Sequence, residues 1–325
     1  MDVTRDRPGG RAGTPSRRGV WARLTGNPVY LSITGPLLAT ERRRFWLLAL
    51  FPLFWIFAMH LGPIVQMFQI SFLDAYPPSS GQTPSWTLDN WAQFFSNPIH
   101  VSTFVRTFVF AATLTFITLI IMYPVAYYIA KLVPADRRLL FLLLLLVPFW
   151  AGEIVRTYAI MILLGNRGFV NIVLDWMGLI DRPIPFMYTN FSLGMGVIYL
   201  TSLYMLLPLY SALEKIPNNY LEAASDLGAG AFTRFRRIIL PLSRDGIASG
   251  CTLVFLLSTG YYATPVLLGG PNTTVFAQTV ARFFHVAGDQ WPVGAAFSSI
   301  MLISALTLTG IFLKVMGRKG GGLLK

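Results

Sequence analysis

Apolar positions fall into six long stretches, at about 45–70, 103–130, 138–163, 190–213, 246–268 and 292–316, and the polar segments between them hold nearly all the charge. An apolar helix needs about 20 residues to cross the hydrocarbon core. Lipid offers no partner to backbone polar groups, so each stretch predicts a helix that satisfies its own. The expected fold class is therefore all-α, a polytopic membrane protein with about six transmembrane helices. Pro52, Pro63, Pro124, Pro148, Pro208 and Pro265 lie within the stretches, and each can kink its helix.

Residues 1–40 are rich in Arg, Gly, Pro and Ser without apolar periodicity, which predicts a disordered basic tail able to touch anionic lipid. The apolar run from Phe45 is too long for a cleavable signal, so the first span reads as a retained anchor. Between the first two spans, Trp86, Leu88, Trp91, Phe94 and Phe95 recur at helical spacing. They predict either a short interfacial helix or a loop packed on the membrane domain.

Composition supports the membrane reading. Of 325 residues, 54% are hydrophobic and 12% charged, against about 25% charged in soluble proteins. Cys251 has no partner cysteine, which excludes a disulfide scaffold. A net charge of +12 would suggest nucleic acid in a soluble chain. Here the Lys and Arg residues segregate: 21 lie on one side of the predicted membrane and 3 (Arg167, Arg182, Arg282) in the opposite loops. That asymmetry predicts cytoplasmic N and C termini, including the tail 319–325, and a lipid partner with no nucleic acid.

Several chemistries lack their residues. There is no GxxxxGK[ST], HExxH or GxSxG, and His60, His100 and His285 are far apart in sequence. Glu153 is the one carboxylate clearly inside a span, too few for a proton relay. The expectation is a non-enzymatic transporter, with no metal site, driven by something outside the chain.

The cytoplasmic loop 214–245 carries the strongest signal. Pro217 suits a helix start, Glu222 and Asp226 follow within the helix, and Gly228 suits the left-handed residue that closes it. Tyr220, Leu221, Ala224 and Leu227 share an apolar face. A second piece, 232–239, carries Arg234, Arg236 and Arg237 and is expected to stop at Pro241. On pattern alone two readings stand: a docking knob whose alanines permit close approach, or an interfacial helix held to the inner leaflet by arginines.

Glu222-Ala223-Ala224, three residues, Gly228, nine residues, then Ile238-x-Leu240-Pro241 resembles the EAA loop of binding-protein-dependent ABC importer permeases. Val147-Pro148-Phe149-Trp150 with Glu153 to Ala159, Leu163 to Gly168, and Thr264 to Pro271 are similar to the spermidine/putrescine-type branch. The resemblance covers residues 45–316. It implies a type I importer permease in a bacterial inner membrane, a second and different permease chain, an ABC ATPase dimer and a periplasmic solute-binding protein. It implies no cofactor on this chain, with ATP and Mg²⁺ on the ATPase. Glu222 is then a docking or capping residue, Ala223 and Ala224 close contacts, Gly228 the turn, and Ile238, Leu240 and Pro241 the remainder of the coupling element.

The solute is less constrained. Glu153 and Arg156 share a helix face, either as a pair that neutralises itself, which is favoured, or as pathway-lining groups. Tyr158, Tyr261 and Tyr262 could offer cation–π faces, and Gly260 beside them predicts a break in the fifth span. Resemblance makes a polyamine the leading solute, with an opine, amino-acid derivative or other small amine next. The different-class alternative is a secondary carrier that needs no ATPase.

Overall fold

The structure, a computed structural model, describes residues 41–78, 83–285 and 290–318. The expected tails 1–40 and 319–325 lie outside these. The chain divides at Gln66 into two units, 1–66 and 67–325. In the first, α1 (Glu41–Ile56) runs into a π-helical turn, Phe57–Leu61, and on into α2 (Gly62–Ile70), which crosses the division. The π turn and α2 contain no buried residue, and Phe51, Phe54 and Trp55 of α1 are exposed.

The second unit is helical throughout, with two isolated β-bridges, Leu73–Trp86 and Tyr76–Gln290, among the described residues. Its helices are α3 (Asp89–Ser96), α4 (Pro98–Tyr127), α5 (Ala135–Leu146), α6 (Glu153–Leu164), α7 (Phe169–Trp176) and α8 (Asn190–Glu214). There follow α9 (Asn218–Asp226), α10 (Ala231–Arg234), α11 (Leu240–Leu242), α12 (Arg244–Gly260), α13 (Ala263–Leu268), α14 (Phe276–His285) and α15 (Trp291–Arg318). Five helical segments are long and apolar enough to span a membrane, and a sixth qualifies if the bent pair 231–242 and 244–260 is one span.

α8 is the hub, packed against α4 and α12. Its Leu200, Met205, Leu206 and Leu209 are fully buried where α4 and α12 pack on it, while Phe191, Tyr204 and Leu207 stay exposed. Close approach of α12 depends on two glycines four residues apart. A Cβ at Gly246 would lie 2.5 Å from the Ala212 Cβ and 2.6 Å from the Pro208 carbonyl oxygen, and one at Gly250 would lie 2.8 Å from the Met205 sulfur. Membrane helices pack through such small residues, because dispersion contact replaces the hydrophobic effect there.

Two spans differ from the sequence expectation. The apolar stretch 138–163 is broken: α5 ends at Leu146, Val147–Trp150 forms a 3₁₀ turn, Ala151 is extended, and α6 begins at Glu153. Pro148 cannot donate to a continuing helix, and Gly152 opens the next one. The spanning segment at this point is Glu153–Trp176. In the stretch 246–268, α12 stops at Gly260 and α13 starts at Ala263, the break that Gly260 predicts.

Between α2 and α4, the helix expected from aromatic spacing is α3. Asn90 donates to the carbonyls of Ser71 at 3.0 Å and Leu73 at 2.8 Å, fastening it to the preceding turn. Phe94 enters an aromatic cluster with Phe104, Phe276 and Phe297, so α3 is packed on the domain while Trp86, Leu88 and Phe95 stay exposed.

Candidate functional site

At the end of α8 the chain turns back on itself. Ile216 is buried, and Pro217 is extended at φ −64°, ψ 136°, the residue before α9 and not the first residue within it. α9 closes with a pair of reverse bonds: Gly228 N–H donates to Ser225 O at 2.8 Å and Ala229 N–H to Ala224 O at 2.9 Å. Gly228 adopts φ +79°, the left-handed conformation that this closure needs.

The expected single apolar face of α9 is divided. Leu221 packs on the core and Ala224 is half-buried, whereas Tyr220 and Leu227 point outward, Leu227 with 89% of its surface exposed. Glu222 and Ala223 are exposed beside them, and Phe232 on α10 adds a further exposed ring. Tyr220, Leu227 and Phe232 thus leave apolar surface exposed at the tip of the hairpin.

The return strand of the hairpin is one continuous helical run: α10, a π-helical turn Phe235–Ile239, and α11. It passes through Pro241 and ends at Leu242, where the sequence predicts a stop at Pro241. Among the pattern residues, Ile238 and Pro241 are half-buried and Leu240 is exposed. The deeply buried one is Ile239, the position that the pattern leaves unspecified.

Three side chains hold the hairpin. Arg234 donates to the Ser225 hydroxyl, joining its two arms. Lys131, in the π-helical turn Tyr128–Leu132 after α4, donates to the Ile216 carbonyl and to Asn218 Oδ1 at 3.3 Å. Glu214, at the end of α8, accepts from the Tyr210 hydroxyl at 2.7 Å and lies 3.7 Å from Arg138. The root is thus fastened to polar groups of the turn after α4, of α8 and of α5 while the tip stays exposed.

A second cluster gathers where α6 begins and α12 ends. Glu153 is the first residue of α6, where the helix dipole favours a carboxylate. Its Oε1 accepts from the Thr264 hydroxyl at 3.1 Å, and the Thr157 and Thr264 hydroxyls lie 3.4 Å apart. Arg156 does not pair with Glu153, contrary to the favoured expectation. Its guanidinium sits 4.3 Å above the Phe149 ring, and its buried Nε and Nη1 have no acceptor. The α6 start holds Glu153 against α13, while Arg156 reaches back to the 3₁₀ turn. Tyr261, in the break after α12, packs against the apolar cluster of Leu114, Leu193, Val197 and Val275. Tyr158 and Tyr262 are exposed, and Tyr262 opens instead onto a recess shared with Tyr188 and Arg282.

The structure therefore sets Glu153 against Thr264 and Arg156 against Phe149, and it leaves Tyr158 and Tyr262 exposed. Phe149, Thr264 and Lys131 were missed as site residues. The break marked by Pro148 and Gly152 was the available signal for Phe149, and nothing local in the sequence marks the other two. Among the described residues, no group of three or more His, Cys, Asp or Glu side chains is arranged to hold a metal ion.

Residues 104–319 match the family described as binding-protein-dependent transport system inner membrane component. The chain belongs to this permease family. The permease is 34% identical over 268 residues to the spermidine/putrescine transport system permease protein PotB of Haemophilus influenzae, covering 82% of this chain and 92% of that one. It is 38% identical over 218 residues to PotB of Escherichia coli, covering 67% and 78%. Its fold is similar to that of a chain of a bacterial alginate ABC transporter in complex with a periplasmic protein bound to an alginate pentasaccharide. The TM-score is 0.67 at 17% identity, covering 86% of the permease and 96% of that chain. The permease is a multi-pass membrane component of transport machinery, and the hairpin 214–245 falls inside the matched segment.

Proposed function

We propose that the permease is one half of the pathway of an ATP-driven importer, with both termini cytoplasmic. An ABC ATPase dimer docks on the hairpin 214–245, a second permease chain completes the pathway, and a periplasmic binding protein delivers the solute. ATP and Mg²⁺ belong to the ATPase. The supporting observation is the asymmetry of the hairpin: its root is bonded to the turn after α4 and to α5, and its tip offers Glu222, Ala223, Leu227 and Phe232 to a partner.

The tip residues divide the work by size and charge. Ala223 and Ala224 let the partner approach closely, Glu222 supplies a polar anchor, and Gly228 permits the turn. Ile238, Leu240 and Pro241 carry the displacement toward α12. Docking performs work only where it differs in free energy between the inward- and outward-open states.

For the solute, the names of the PotB relatives favour a polyamine such as spermidine or putrescine. Glu153 and Tyr261, with Tyr158 and Tyr262 nearer the surface, are the proposed pathway groups for a cation. Arg156 supports a second reading, because a cation with two donors lacking acceptors, one turn along α6 from Glu153, suits a solute bearing both an amine and an anionic group, such as an opine or amino-acid derivative.

The test is reconstitution in liposomes with the ATPase, the second permease and the binding protein, measuring uptake of labelled putrescine and spermidine. Uptake is expected only with ATP and all partners present, and Glu222→Lys is expected to abolish stimulated ATP hydrolysis while the protein still inserts. Accumulation of solute by this chain alone would establish a secondary carrier instead.

A further inference from the structure

The helical run 231–242 and α12 meet at Ser243 with a bend of 66°. Ser243 is fully buried at φ −88°, ψ 5°, so the bend is made inside the protein. On one side of it, α12 is packed onto α8 through Gly246 and Gly250. On the other side, the run leads back through Phe235 to the exposed hairpin tip. Ser243 is therefore the elbow between the hairpin and α12.

One side chain from elsewhere in the fold reaches this elbow. The Tyr123 hydroxyl, on α4, lies 2.8 Å from the Ser243 hydroxyl, and either group can be the donor. Ser243 Oγ also lies 3.3 Å from the Leu240 carbonyl, so it can donate back into the run while accepting from Tyr123. The Tyr123 ring meets Phe235 edge to face, with centroids 5.6 Å apart at 89°. Around this pair the neighbours are apolar, among them Leu206, Leu209, Ile239 and Ile247. Both residues are buried, so the hydroxyl pair is costly to separate.

The elbow also has space beside it. An apolar recess of about 390 Å³ is lined by Leu119, Tyr123, Tyr127, Phe235, Leu240 and Ile247. It lies between the run, through Phe235 and Leu240, and α12, through Ile247, and gives the angle between them room to change. A push on the hairpin could thus be absorbed locally, unless something fixes the elbow.

We propose that the Tyr123–Ser243 hydrogen bond is the latch that makes the elbow rigid, so that movement of the hairpin moves α4 and α12 together. This rests on the reading of the hairpin as the ATPase-docking element. Tyr123 and Ser243 are positioning residues: neither touches solute or ATPase, and both act through the angle between the run and α12.

The experiment uses the complete complex in liposomes and measures solute imported per ATP hydrolysed. Tyr123→Phe and Ser243→Ala each remove one hydroxyl and are expected to lower that ratio by about fivefold, the scale of one lost buried hydrogen bond. The double variant is expected to be no worse than either single, because both remove the same bond. Ser243→Thr keeps a hydroxyl and should restore the ratio. A wild-type ratio in both single variants, or additive losses in the double, overturns the latch. If Tyr123→Phe fails to assemble, Ser243→Ala against Ser243→Thr decides it alone. Loss of ATP-dependent uptake by the wild-type complex would instead count against the importer reading.

Discussion

The Lys131 ammonium donates to the Ile216 carbonyl, 85 positions further along the chain, and so fastens the root of the hairpin to the end of α4. Ile216 lies just past α8, where a helix leaves carbonyls without partners. The same ammonium reaches Asn218 at the start of α9. One cation thereby holds the exit of one helix and the entry of the next.

Replacing Lys131 with Met keeps the length of the side chain and removes the donors. Insertion should be unaffected, and solute-stimulated ATP hydrolysis should fall on the order of fivefold, the scale of about 1 kcal/mol for one such bond. The check is ATPase activity of the purified complex with and without loaded binding protein. Unchanged stimulation would show that the hairpin root is held by other contacts.

Gly228 separates backbone strain from steric clash. A Cβ there meets nothing within 4 Å, so any penalty comes from its φ of +79°. Val should cost about 1–2 kcal/mol or more and loosen the end of α9, while Asn tolerates the left-handed region better. Stimulated ATPase activity should follow the order Gly, Asn, Val. Equal activities would mean that the turn does not position the tip.

The two glycines on α12 are not equivalent. Ala at Gly246 would press on a backbone oxygen at 2.6 Å, which cannot move aside, whereas Ala at Gly250 would press first on the Met205 sulfur, part of a flexible side chain. Overpacking of this kind costs about 1–3 kcal/mol. Thermal unfolding in detergent should therefore show a larger loss for Gly246→Ala than for Gly250→Ala, and the reverse order would contradict the packing.

Asp74 accepts from the Ser85 hydroxyl at 2.6 Å and from the Ser85 amide at 2.9 Å. Both bonds favour the ionised carboxylate and hold it below its usual value of 3.8. A carboxylate depressed in the folded state stabilises the fold above its unfolded value, and loses that contribution as pH falls through the folded one. The 74–85 bridge should thus persist through the neutral range and open only in acid. Ser85→Ala should raise the Asp74 midpoint toward 3.8 in an NMR titration, and an unmoved midpoint would refute the assignment.

Six apolar stretches, the break at Gly260 and the Gly228 closure could all be read along the chain, because hydropathy, helix length and the glycine backbone are local properties. The interruption of the 138–163 stretch was missed, although Pro148 and Gly152 lie within it, because its continuous apolarity outweighed them. Glu153 and Arg156 looked like a pair from their spacing. Shared helix faces do not specify rotamers, and Thr264 and Phe149 were the better partners within reach.

By itself, the amino-acid order determined the helical membrane class, the family resemblance and the place of the hairpin 214–245 along the chain, since these follow from hydropathy and short-range spacing. Tertiary structure alone decided which residues grip that hairpin. Lys131 with Ile216 and Tyr123 with Ser243 are joined across 85 and 120 positions. Such contacts exist because α4, α8 and α12 pack together, and no local pattern encodes which side chains then meet.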